Sequence, residues 1–270
     1  MHSFLVPGIA FAMYGILAAF SWRAQARGEG NAPSQELIAH LALIPLGLHG
    51  YLLGQGIFQG DALELGLLNA ISLIAWLTLL VYWVARFFYP IGGFQALMLP
   101  IAAISMLLPE LFPSEHPLSN TNLFAFKAHV AVAMLAYSLF TIAVLHAVLI
   151  SQVERRLHHA TLPRVMRSLP PLMTMETMLF RLIAIGFVLL TLTLASGMLF
   201  SEEIFGKAWQ FTHKVLFSIM SWCMFAVLLW GHHFYGWRGR VAVRWTVGGF
   251  IFLLLAYLGS KFVIEMLLHR

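Results

Sequence analysis

Runs of about 20 residues that are apolar almost throughout set the terms for this chain, at approximately 3–22, 37–57, 67–85, 91–108, 128–150, 178–200, 214–233 and 241–264. A helix of ~20 residues rises ~30 Å, the thickness of a hydrocarbon core. In lipid a backbone must satisfy its hydrogen bonds within the segment, which an α-helix does. The expected fold class is therefore all-α: a polytopic transmembrane helical bundle with about eight membrane-spanning helices. Composition agrees, since 10% of the 270 residues are charged and 60% are hydrophobic. Soluble domains carry about 25% charged residues. No linker or repeat divides the chain, so residues 1–270 read as a single membrane domain.

Three other classes lose ground on the same residues. The first run imitates a secretion signal, but only Met1-His2-Ser3 precede it, without a cation, so a retained helix is expected. The one cysteine, Cys223, excludes disulfides within the chain and reads as a buried thiol. The sequence pI of about 9.6 could suggest nucleic acid, but the charges lie at helix ends, not on a soluble basic face.

Those charges instead give an orientation. Arg23, Arg27, Arg86, Arg155, Arg156, Arg164, Arg167, Arg181, Arg238, Arg240 and Arg244 fall at one set of alternating helix ends, and Lys127, Lys207, Lys214, Lys261 and Arg270 at the other. Cations accumulate on the cytoplasmic side, so the arginine ends are expected inside and both termini outside. The proline-containing outer segment 109–127 is expected to fold over the membrane surface.

The chain has 12 histidines, and their heights sort them into tiers. His129 and His213 open two helices from the lysine side at similar depth. His146 lies 17 residues below His129, about 26 Å at 1.5 Å per residue, and belongs with His232 and His233 at the inner surface. His49 lies inside the second run, where an ionisable residue is a functional candidate. Two imidazoles at one height on facing helices can ligate a haem iron from both sides. Lys127 and Lys214, each within two residues of one of these histidines, could meet the propionates. Interfacial anchoring by snorkelling explains the same residues singly, and both readings stand on the sequence. Asn69, Ser72 and Trp76 form a stripe better suited to helix–helix hydrogen bonding.

A family resemblance rests on several segments. These are His49-Gly50, the stretch Leu65–Leu73, Ala128-His129-Val130 with Tyr137, Pro170-Pro171-Leu172-Met173, His213–Ser218, Trp230-Gly231-His232, Gly236–Arg240 and Tyr257–Phe262. Together they resemble the cytochrome c assembly superfamily of bacterial inner-membrane proteins, on the YpjD/HemX-like branch, related to the haem-handling CcsA and CcmC proteins. The resemblance implies haem handling at the outer face, with His129 at an external ligand position and His49 and His232 near transmembrane histidine positions. The family's tryptophan-rich signature is absent; the corresponding segment reads SEEIFGKAWQFTHK.

The functional expectation is a haem-binding inner-membrane protein of cytochrome c assembly, not an enzyme. Non-covalent b-type haem would lie between His129 and His213, near Lys127 and Lys214, with His49 and His232 as accessory cofactor-binding residues. Expected partners are membrane lipid, haem and other cytochrome c biogenesis or haem-synthesis proteins, and no nucleic acid. The alternatives are a membrane regulator of haem biosynthesis and a small-molecule transporter. A transporter would call for repeats and paired intramembrane charges that the sequence does not display.

Overall fold

A computed structural model describes residues 4–28, 33–59, 62–89, 94–112, 117–118, 124–158, 169–199 and 212–262. In chain order the helices are α1 Leu5–Ala26, α2 Pro33–Leu41, α3 Leu43–Ile57, α4 Leu67–Ala85, α5 Gln95–Leu111 and α6 Phe124–His158. They continue with α7 Leu172–Leu199, α8 His213–Tyr235, α9 Gly239–Leu254, a π-helical turn Leu255–Gly259, and the short α10 Ser260–Phe262. Three strands of two or three residues, β1 Phe58–Gln59, β2 Ala62–Glu64 and β3 Pro117–Leu118, pair antiparallel at one end in the order β1-β2-β3.

Seven stretches are long and apolar enough to cross a membrane: Leu5–Ala26, Pro33–Ile57, Leu67–Ala85, Phe124–Arg156, Leu172–Leu199, His213–Tyr235 and Gly239–Phe262. The eighth run forms the shorter apolar helix Gln95–Leu111. The protein is thus a polytopic helical membrane bundle. Prolines explain the irregularities. Pro45 has no N–H for the Leu41 carbonyl, and the helix is interrupted at Ala42. Pro100 and Pro109 remove two more bonds within α5.

The helices close into two rings. In one, α1 packs on α3, α3 on α4, α4 on α5 and α5 on α1; in the other, α6 packs on α7, α7 on α8, α8 on α9 and α9 on α6. Contact between α4 and α6 joins the rings. Apolar burial gives little net gain against lipid, so close packing and interhelical hydrogen bonds, each worth ~0.6 kcal/mol, hold such a bundle together. Trp76 Nε1 donates to Leu46 O at 2.8 Å, Ser138 Oγ to Ile74 O at 3.2 Å and Ser221 Oγ to Gly249 O at 2.8 Å. Ser72 and Trp76 of the Asn69/Ser72/Trp76 stripe bond across to α3 as expected, at His49 and Leu46 O, whereas Asn69 Nδ2 donates to Glu64 O in β2, just before its own helix.

The middle of the second ring is filled by one layer. Phe140 of α6 and Phe225 of α8 are fully buried and stack at 4.0 Å with 17° between planes. Gly186 of α7 and Gly249 of α9 face these rings, and a Cβ on either would lie about 3 Å from one of them. Two large rings fit because the other two helices contribute no side chain.

Three expectations need correcting. His146 is not an interfacial anchor: α6 runs on to His158, so residue 146 is mid-helix, almost fully buried and stacked on Phe94 at 4.1 Å. Cys223 is exposed, because the buried stripe of α8 runs through Ser221, Phe225, Leu228 and Gly231 and leaves position 223 outside it. The segment 109–127 is helical at both ends, since α5 extends through Pro109 to Leu111 and α6 starts at Phe124. Trp209, Lys207 and the rest of 200–211 lie outside the described residues.

Candidate functional site

A cavity of about 360 Å³ opens at the end of the second ring that carries the lysines. Helix α6 contributes Phe126, His129, Ala133, Met134 and Tyr137, and α7 contributes Thr193, Leu194, Gly197 and Met198. From α8 come Lys214, Val215 and Ser218; Ala256, Tyr257 and Lys261 close the remaining side. The α6 set recurs every three or four residues, which places it on one helical face. Phe140 of the stacked layer lies about one turn beyond Tyr137, the last α6 residue of the lining. Its volume falls in the range of about 300–1,000 Å³ typical of small-molecule and cofactor sites.

His129 is half-buried, and its tautomer is coupled to its neighbours. Nδ1 lies 2.8 Å from Ser196 Oγ, while Ser196 Oγ donates its single proton to Thr193 O at 3.1 Å. With the Ser196 proton on Thr193 O, Ser196 accepts from His129 Nδ1–H and the imidazole lone pair sits on Nε2; with that proton on His129 Nδ1, the roles reverse. A carbonyl-anchored relay of this kind is how proteins orient a ligand histidine. Gly197 lets the two helices close: a Cβ there would lie 3.4 Å from His129 Cε1.

The other candidates are distributed differently from the sequence reading. Lys214 lines the cavity, but His213 is the exposed first residue of α8 and does not, and Lys127 is exposed on α6 outside the lining. Matching height does not give matching azimuth around the helix. His49 is fully buried among α1, α3 and α4, with Nε2 2.9 Å from Ser72 Oγ and Nδ1 3.5 Å from Tyr14 Oη. Both nitrogens are thus engaged inside the first ring, away from this cavity. His232 lines a second cavity of about 390 Å³ at the arginine end, with His233, Glu176, Arg181 and Arg238. Its Nδ1 donates to Trp237 O at 2.9 Å and its ring stacks on Phe180 at 3.4 Å. Gly236, at φ 66°, turns the chain so that Trp237 covers Gly231, where a Cβ would come within 2.4 Å of the indole.

Sequence reasoning placed Lys261 only among the lysines at one set of helix ends and missed it as a cavity residue. Among the described residues, no group of three or more His, Cys, Asp or Glu side chains could hold a metal ion by itself.

Residues 37–268, nearly the whole chain, match the family model described as "Cytochrome C assembly protein". This protein belongs to the cytochrome c assembly family. Within that family it is 34% identical over 175 residues to the Escherichia coli "Inner membrane protein YpjD", an alignment covering 63% of this chain and 65% of the relative. The chain thus spans just under two thirds of that relative's length. A shorter stretch of 89 residues is 37% identical to "Cytochrome c biogenesis protein CcsA" of Prochlorococcus marinus, covering 33% of this chain and 29% of that protein. The matched residues include the linings of both cavities.

Proposed function

We propose that this protein binds haem in the lysine-end cavity, within cytochrome c assembly in the bacterial inner membrane. The observation that carries the reading is His129, held through Nδ1 by Ser196 in a cavity lined mainly by apolar groups, with two lysines and the hydroxyls of Tyr137, Thr193, Ser218 and Tyr257. Haem needs an imidazole nitrogen for iron, apolar walls for the macrocycle and cations for the propionates. The cavity supplies His129, then Met134, Leu194 and Met198, then Lys214 and Lys261, so the donor set fits. When bound, haem would supply the redox chemistry; the chain's part is to bind, orient and shield it. No bond-making group is required of the protein, which is consistent with a handling role.

His129 is assigned as the axial ligand. His213 and Lys127 do not enter this site because neither lines the cavity. His49 and His232 would serve elsewhere along the chain: His49 as an internal hydrogen-bonding centre, His232 in the arginine-end cavity. The orientation that goes with this reading puts the lysine end on the periplasmic face and the arginine end in the cytoplasm. The names of the relatives support the compartment and the pathway.

The test is an absorption spectrum of the detergent-purified protein, oxidised and reduced. A Soret band is expected, lost in His129→Ala and retained in His213→Ala. A folded, colourless protein from haem-replete cells would overturn the reading. A periplasm-dependent reporter fused after Arg270 should be active; inactivity would reverse the orientation.

A further inference from the structure

The seam between α7 and α8 is clasped at one level and open at another. Trp222 Nε1 donates to Thr191 Oγ1 at 2.8 Å, and the indole stacks on Phe187 with 5.3 Å between ring centres. This clasp fixes the register of two antiparallel helices. His232 lies ten residues after Trp222 and Arg181 ten residues before Thr191, so both stand about 15 Å from the clasp, at one height. The stack of Phe180 on His232 agrees with that register. Towards the arginine end the seam widens, past Ala184 and Leu229, into the cavity of about 390 Å³.

Two arginines converge on this cavity from different elements. Arg181 lies within the apolar helix α7, where a charge is a functional candidate. Its Nη1 donates to Tyr89 Oη at 2.7 Å, and its guanidinium carbon lies 5.8 Å from the centre of the Tyr89 ring. Tyr89 thus steadies the side chain with a hydroxyl and a π face, not with a charge. A guanidinium has five N–H donors in a planar fork, so other donors can meet an oxyanion. Arg238 comes from the N-cap of α9, just after Gly236 reverses the chain. Glu176, also in the lining, is committed to the fold: its Oε1 accepts the Gly239 N–H at 3.0 Å and tethers α9 to α7. Among the described residues the ion pairs are Arg86–Glu36 and Arg240–Glu154, and neither cavity arginine takes part in one.

The flank around the cavity is apolar and open to hydrocarbon. Ile185, Val188 and Leu192 continue from Arg181 along one face of α7, each more than half exposed. On α8 the equally exposed Trp230 and Phe234 rings lie 4.3 Å apart. A soluble anion gains nothing from such walls, whereas an anionic amphiphile matches both the arginines and the seam. We propose that the arginine-end cavity binds an anionic phospholipid, its phosphate between Arg181 and Arg238 and an acyl chain in the α7–α8 seam as far as the Trp222 clasp. The bound lipid ties α7 to the turn between α8 and α9. The site is separate from the lysine-end cavity and does not depend on haem binding there.

The experiment titrates delipidated full-length protein in non-ionic detergent with dioleoyl phosphatidylglycerol, counting bound lipid by native mass spectrometry. Dioleoyl phosphatidylcholine, whose headgroup carries its own cation, and inorganic phosphate are run in parallel. One saturable phosphatidylglycerol site is expected, with phosphatidylcholine bound about tenfold more weakly. Arg181→Gln and Arg238→Gln should each weaken phosphatidylglycerol by about tenfold, the worth of one charge-assisted hydrogen bond. Arg238 is exposed beside a turn, so its replacement leaves the fold intact, and Arg238→Lys should recover most of the affinity. Arg155→Gln alters an exposed arginine outside the lining and should change binding by less than about twofold, since exposed charges are screened within about 8 Å at physiological salt. Equal affinity for the two lipids, or a loss in Arg155→Gln as large as in Arg238→Gln, overturns the site, because a diffuse basic surface would then account for the binding. Displacement of phosphatidylglycerol by an equal concentration of inorganic phosphate overturns the lipid as its occupant. A wild type that holds no phosphatidylglycerol overturns the proposal outright.

Discussion

His129 Nδ1 lies 2.8 Å from Ser196 Oγ, and Ser196 hands its own proton to Thr193 O. The contact joins α6 to α7 and, with the Ser196 proton on Thr193 O, leaves the imidazole lone pair on Nε2. Ser196→Ala should leave the bundle folded but let the ring rotate and exchange tautomers. Orienting partners of a ligand histidine are typically worth about 10–100-fold in metal affinity. On the proposed function, haem affinity should fall within that range, with a broadened Soret band, and Ser196→Thr should recover most of it. Unchanged affinity and spectrum would show that the relay does not orient the ligand.

His49 predicts a stability effect. Its Nε2 is bonded to Ser72 Oγ at 2.9 Å in a site with no exposure. Ser72→Ala strands a buried nitrogen, which costs about 1–3 kcal/mol. Thermal unfolding in detergent should show a lower midpoint for Ser72→Ala, with the haem spectrum unaltered. An unchanged midpoint would mean that water replaces the hydroxyl.

At the opposite end of the first ring, Arg86 draws α2, α4 and α5 together. Its buried guanidinium pairs with Glu36 at 2.7 Å and donates to Gln95 Oε1, while Gln95 Nε2 donates to Gln35. Glu36 is largely exposed, so the ion pair itself is screened. The larger loss in Arg86→Met is the donor to Gln95, again about 1–3 kcal/mol. Glu36→Gln should cost less than about 1 kcal/mol. Denaturation of the two variants side by side checks the order, and a reversal would place the stabilisation in the ion pair.

The Phe140–Phe225 layer separates two glycine substitutions that look alike in sequence. A Cβ at Gly249 would lie 2.9 Å from Phe225 Cζ, whereas a Cβ at Gly47 would meet nothing within 4 Å. Gly249→Ala should destabilise by about 1–3 kcal/mol through overpacking. Gly47→Ala should be neutral or gain up to about 1 kcal/mol from helix propensity. Melting curves of the two proteins test this, and equal midpoints would mean that the aromatic layer yields without strain.

The helices were legible because apolar runs of spanning length admit few other structures in lipid, and the Asn69–Trp76 stripe announced its use in helix contacts. The family was legible too, from motifs spread over most of the chain. The site was legible in part. His129 and Lys214 stood out as polar groups at one end, but the pairing of His129 with His213 rested on height alone. Height follows from counting residues at a fixed rise. Azimuth depends on which neighbour a helix packs against, and there His213 and Lys127 turn away.

The sequence by itself determined that the chain is a bundle of apolar helices and which end of each carries lysine or arginine, because desolvation of backbone and charge acts locally along the chain. The tertiary structure decided which polar groups share a cavity. That choice turns on helix phase, on the π-helical turn at Leu255–Gly259, and on glycines that let Phe140 and Phe225 stack between α7 and α9. None of these leaves a periodic signal, because each is a relation between segments far apart in sequence.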